Sequence, residues 1–262
     1  MKIISILFLW LASMSVYAET LVIAGTGDSQ KLLRALAPEF ERLHAGISVD
    51  VPDSIGSKWG IRSLAEGKIE LARTARAVKP SEPKGLVEYR FAISPLVFVA
   101  HSSAEGVDNV TSSEIVDIYA GRIGNWSELG GAKHRLYAVD RENGDSSRSV
   151  IEKKISEFRG LVSKAKVFYS TPDAVSALND NQFTFGYLPK SEIKNTNLKI
   201  LKVDGVEPSV ENIKTGSYPY STPFYLVTKG EAKGWPKKFI EFTRSKQGQK
   251  IISDFGLIAT GN

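Results

Sequence analysis

TLVIAGTGDSQKLLRALAPEFERLH, residues 20–44, decides the fold class of this 262-residue chain. The apolar run from Leu21 to Ala24 closes in Gly25 and Gly27, after which Leu32, Leu33, Leu36, Phe40 and Leu43 recur at helical spacing. That is a strand, a turn and a helix. Pro38 falls inside the helical pattern, where it removes the backbone bond to Arg34 and predicts a kink or interruption. The pattern then repeats. GISVDVPDS (46–54) alternates like a strand, SKWGIRSLAEG (57–67) reads as a short helix ended by Gly67, and KIELART (68–74) reads as another strand. Strand and helix alternating in this way predict an α/β protein.

Further on, EYRFAISPLVFVAHS (88–102) is extended but broken by Pro95, a place for the chain to leave one lobe for another. TSSEIVDIYAG (111–121) reads as a helix with a capping box between Thr111 and Glu114 and a stop at Gly121. A strand over HRLYAVDR (134–141) precedes a helix from about Arg148 to Phe158, and TPDAVSALND (171–180) and QFTFGYLP (182–189) add a helix and a strand. YPYSTPFYLVTK (218–229) is extended again, and two closing helices occupy 235–259. Two crossovers, near 93–96 and 218–224, predict lobes formed by 19–94 with 220–262 and by 95–219.

Residues 1–18, MKIISILFLWLASMSVYA, carry one lysine, a short apolar run and a small-residue end, the pattern of a secretory signal peptide cleaved after Ala18. The run is too short for a membrane anchor. With no cysteine in the chain, neither a disulfide framework nor a lipidated cysteine is available, and a periplasmic location is expected. Removing the leader leaves 33 basic and 29 acidic residues. A modest positive field suits anionic ligands, though ordinary surface charge explains it equally, and no basic stripe with interleaved aromatics points to nucleic acid. His44, His101 and His134 lack the spacing of metal ligands, so no metal or cofactor is expected.

G-D-S-Q-K at 27–31 returns as G-D-S-S-R at 144–148, each where a loop feeds a helix. Such turns aim backbone N–H groups outward at the positive end of a helix dipole, a ready site for an anion. Arg141, at the end of the preceding strand, adds a guanidinium suited to bidentate contact with a tetrahedral oxyanion. Asp28, Ser29, Asp145 and Ser146 read equally well as ordinary helix caps. VIAGTGDS also looks like the nucleophile block of the GDSL esterases, with Ser29 as nucleophile, but that chemistry needs a histidine late in the chain and none follows His134.

Assembled, these segments resemble the periplasmic phosphate-binding proteins of ABC importers, in the type 2 periplasmic binding protein superfamily. GTGDS at 25–29, DSIGSKWGI at 53–61, ELARTARAVKPSE at 70–82, IVDIYAGRIGNWSEL at 115–129, VDRENGDSSR at 139–148, FGYLP at 185–189 and NIKTGSYPYSTPF at 212–224 carry the similarity, the fourth being the most specific. The resemblance implies an exported, non-enzymatic protein of two lobes, each a mixed sheet flanked by helices. It would act as a monomer, closing over phosphate or a related oxyanion and delivering it to a permease. A sensor or scaffold without a transport role is the alternative. It also implies ligand contacts from Asp28, Ser29 with the backbone N–H of Gln30, Ser57, Arg76, Arg141, Asp145, Ser146 and Ser147. Two positions depart from the family. Ala75 stands where phosphate-specific members have an aspartate that accepts the ligand's proton, and Asp145 replaces a hydroxyl donor, so that it either accepts that proton from the opposite lobe or caps its helix.

Overall fold

Strand β1 (Glu19–Gly25) buries Leu21 and Ile23, and helix α1 (Gln30–Leu43) buries Leu32, Leu33, Leu36 and Phe40 on one face, as their spacing requires. The computed structural model describes residues 19–260, so the expected leader at 1–18 lies outside the described residues. Pro38 does not interrupt α1. It and Arg34, whose carbonyl loses a partner, both face solvent, where water can hydrate that carbonyl while Leu36 and Phe40 hold the helix to the core.

β2 (Ile47–Asp50), α2 (Gly56–Ala65) and β3 (Leu71–Thr74) follow, with β1 lying parallel between β2 and β3. Strand β4 (Leu86–His101) runs unbroken through Pro95, against expectation. Its first part pairs antiparallel with β11 (Ser221–Lys229) as far as Pro95, and from Leu96 it pairs with β8 (Thr184–Pro189). The missing proline N–H thus falls where the strand changes partner. Between these come β5 (Asn109–Val110), α3 (Ser112–Ala120), β6 (Tyr137–Arg141), α4 (Ser146–Lys154), β7 (Lys166–Phe168) and α5 (Thr171–Asn179). After β8 the chain forms β9 (Leu198–Ile200), β10 (Lys202–Val203) and α6 (Val210–Thr215). Beyond β11, α7 (Gly234–Arg244), α8 (Lys246–Asp254) and β12 (Ile258–Ala259) close it. α3 has both halves of the expected capping box and ends on Gly121. α4 starts two residues earlier than expected because Asp145 caps it, and a separate 3-10 turn holds Ser156–Phe158.

The strands run β2-β1-β3-β11-β4-β8-β6-β7, an α/β architecture of two lobes joined through β4 and β11. One core gathers Leu21, Phe40, Phe91, Phe224 and Phe239; the other gathers Phe98, Tyr119, Trp126, Phe185 and Tyr220. Because Ala92 and Leu96 on β4, and Tyr220 and Phe224 around β11, belong to different cores, we propose that the chain passes between lobes within 92–96 and within 220–224, close to the expected crossovers. The carboxyl ends of β1, β3, β6 and β7 all lead into one cavity between the cores, where open α/β sheets place their ligands.

Candidate functional site

The cavity encloses about 570 Å³ and is walled by both lobes. Thr26 and Gly27 close it after β1, residues 54–59 contribute the start of α2, Arg76, Lys79 and Glu82 follow β3, and residues 141–146 with Tyr169 and Thr171 form the opposite wall. The first wall is held from behind by Arg73, which is fully buried and donates to the carbonyls of Ile23, Thr26 and Pro52. Burial lowers the Arg73 guanidinium to about 10, which leaves it charged at neutral pH. Gly25 permits this approach: a Cβ there would lie 2.0 Å from the Arg73 carbonyl oxygen, and its φ is 146°.

Arg141, 5% exposed, ends β6 with each side of its guanidinium engaged: Nε donates to the Phe168 carbonyl at 3.2 Å, Nη1 to Thr171 Oγ1 at 2.8 Å, and Nη2 pairs with Asp145 Oδ2 at 2.9 Å. The other Asp145 oxygen accepts from the N–H groups of Ser147 and Arg148, both at 3.0 Å, and so caps α4. Beneath them a buried Arg148–Asp140 pair ties α4 to β6, and the Tyr187 hydroxyl donates to Asp140 at 2.6 Å. Across the cleft, Ser57 Oγ accepts from the Ala75 N–H at 3.2 Å and lies 3.4 Å from Ser146 Oγ. Helix α2 begins after Ile55, which cannot cap it; Ser54 Oγ accepts from the Gly56 N–H at 3.4 Å, and the rest of the helix's positive end opens on the cavity.

A family model described as a PBP superfamily domain matches residues 16–247. This chain belongs to the PBP superfamily. It is 28% identical over 252 residues to the phosphate-binding protein PstS of Bacillus subtilis, covering 91% of this chain and 80% of that protein. A solved Clostridium perfringens structure, described as a phosphate ABC transporter substrate-binding protein with bound phosphate, is 30% identical and superposes with a TM-score of 0.81 over 93% of this chain and 100% of that one. An ABC-type phosphate transport receptor from Vibrio cholerae, 24% identical with a TM-score of 0.64, shares the fold over 92% of this chain and 99% of its own.

Within this PBP-superfamily cleft, Ser57, Arg76, Arg141, Asp145 and Ser146 line one cavity, and the other four residues expected at the ligand do not. Asp28 and Ser147 lie behind the wall, joined to each other: Ser147 Oγ donates to Asp28 Oδ2 at 3.1 Å. Ser29 is fully buried at the start of α1 with its hydroxyl unpartnered, and the N–H of Gln30 is donated to the Gly27 carbonyl at 3.1 Å. The Gln30 side chain turns away to Asp53 and Arg73. The N–H groups of Asp28, donated to Thr26 Oγ1 at 3.3 Å, and of Gln30 are therefore committed within the first turn. Ser29 also lacks what a nucleophile needs, since His44 bonds the Phe40 carbonyl, His101 bonds Ser103 and His134 stacks on Phe183.

Arg76 lines the cavity but is held by Glu82 through two bonds of 2.9 and 2.6 Å. Asp145 caps its helix and grips Arg141 while also lining the cavity. Sequence reasoning missed Lys58, Lys79 and Thr171, although Lys58 stands in the quoted GSKWG segment at the start of α2. Lys58 and Lys79 form no ion pair among the described residues and leave the cavity with two uncommitted cations.

Proposed function

We propose that this protein captures a tetrahedral oxyanion, phosphate first, between its two lobes as the binding component of an ABC importer, working as a monomer exported across the inner membrane. It is a binding protein and not an enzyme. The observation that carries the reading is Arg141, nearly buried at the carboxyl end of β6, facing a 570 Å³ cavity onto which the start of α2 opens. Charge-assisted hydrogen bonds contribute on the order of 1.5–3 kcal/mol each, so a guanidinium, a helix terminus and the hydroxyls of Ser57 and Ser146 together suffice for firm binding. The phosphate named in the relatives from B. subtilis and C. perfringens supports the choice of ligand. No helix among the described residues is long and apolar enough to cross a membrane.

Thermal unfolding of the ligand-stripped protein with phosphate, arsenate, sulfate, molybdate and small carboxylates tests the reading. A ligand at about a hundred times its Kd stabilises the folded state by about 2.7 kcal/mol, so phosphate is expected to raise Tm by several degrees, and Arg141→Ala to abolish the shift. No shift with any oxyanion overturns it. Phosphate uptake by cells lacking the protein then separates an importer component from a sensor, since a sensor leaves uptake unchanged.

A further inference from the structure

Asp28 leaves the turn after β1 and enters a socket built wholly by the other lobe. Its Oδ1 accepts from Thr171 Oγ1 at 2.7 Å, its Oδ2 from Ser147 Oγ at 3.1 Å, and its carbonyl from Ser191 Oγ at 2.7 Å. The residue is fully buried. Thr171 Oγ1 in turn accepts from Arg141 Nη1 at 2.8 Å, so a single hydroxyl separates Asp28 from the guanidinium assigned to the anion. The charged groups acting around this point are Arg141 and Asp145, with Glu192 beyond them and Lys31 and Arg73 acting on Glu192. One guanidinium therefore faces two carboxylates before any ligand arrives.

We propose that Asp28 is the specificity-determining carboxyl group of the cleft: an anion that settles beside Arg141 is bound together with a proton on Asp28. The proposal rests on the anion-binding reading above and adds the charge state that the site accepts. With Asp28 ionised, the buried set of Arg141, Asp145 and Asp28 carries one excess negative charge beside the anion, at short range and with little water to screen it, while the exposed Lys58 and Lys79 act on the anion alike in either state of Asp28. With Asp28 protonated the network is neutral.

Hydrogen bonding leads to the same conclusion. An ionised carboxylate only accepts, so Thr171 and Ser147 both commit their hydroxyl protons to it. A protonated carboxyl group donates to one of them. Thr171, which also lines the cavity, can then turn its O–H toward an anion while still accepting from Arg141. The proton comes from solvent, and no covalent bond between heavy atoms changes. Burial, reinforced by Asp145, raises the carboxyl from 3.8 to about 6, which places this exchange near neutral pH. Below that value the proton is already present, and above it capture must take one up, so affinity falls as pH rises.

Calorimetry with inorganic phosphate, from about pH 5.5 to about 8 in two buffers of different ionisation heat, tests this on the wild type and Asp28→Asn. Phosphate titrates identically in both experiments, so the difference between the proteins belongs to Asp28. Above about pH 6 the wild type is expected to lose affinity roughly tenfold more per pH unit than the variant, and to take up one proton more per anion. Parallel profiles with equal proton uptake overturn the proposal alone, and no phosphate binding by either protein at any pH overturns the anion reading and the proposal with it. Should Asp28→Asn fail to fold, Ser147→Ala serves: it removes one donor to the ionised carboxylate and moves the break in the profile to higher pH, and an unmoved break overturns the proposal.

Discussion

The two G-D-S turns have the same three residues and opposite uses. In the second, Asp145 is the N-cap of α4, and its carboxylate folds back onto the N–H groups of Ser147 and Arg148 while holding Arg141. In the first, α1 begins one residue later relative to the motif, with Ser29 at the N-cap, so Asp28 cannot cap and its side chain crosses to the other lobe. An offset of one residue between motif and helix start turns a local cap into a contact between lobes. The same offset leaves Ser29 Oγ buried without a partner.

Breaking the second turn should cost most. Arg141→Ala leaves Asp145 and Asp28 without their shared cation in a buried site, and such losses run to about 3–5 kcal/mol; denaturant unfolding should show that loss and calorimetry the disappearance of phosphate binding. Asp145→Ala removes a cap and an ion-pair partner, and a stability loss of about 1–2 kcal/mol is expected, larger than that of Asp28→Ala at pH 8, where ionised Asp28 contributes least. An equal loss at that pH would mean that both aspartates serve as caps.

The first turn should differ in its response to pH. Asp28 is raised from 3.8 to about 6, chiefly by burial, so the folded protein holds the proton more tightly than the unfolded chain. Its contribution is full below about pH 3.8 and is lost as pH rises through about 6. Glu192, which accepts from the Lys31 N–H across the same interface, is raised by burial from 4.5 to about 8 and acts in the same sense over a higher window. Glu192→Gln should therefore flatten the fall in stability between about pH 5 and 8, and unfolding curves across that range would show it. The smallest change belongs to Ser29→Ala. Removing an unpartnered buried hydroxyl should leave phosphate affinity unaltered and stability within about 1 kcal/mol of the wild type, or slightly above it.

Periodicity and turn chemistry in the sequence determined much of this molecule: the β-α-β order, the helix of 20–44, the capping box at Thr111 and Glu114, and Arg141 at a strand end. These are local relations in which a residue and its partner lie within a few positions, so spacing reports them. The tertiary structure decided the rest. Pro38 stays within a helix because the opposite face is buried, and Pro95 stays within a strand because the ladder changes partner there. Arg73, Thr171 and Ser191 became part of the site only through contacts 21 to 163 residues away in the chain. Local spacing carries no signal of such contacts. Whether an aspartate caps its own helix or reaches the opposite lobe depends on where the helix begins, and packing of the whole lobe sets that start.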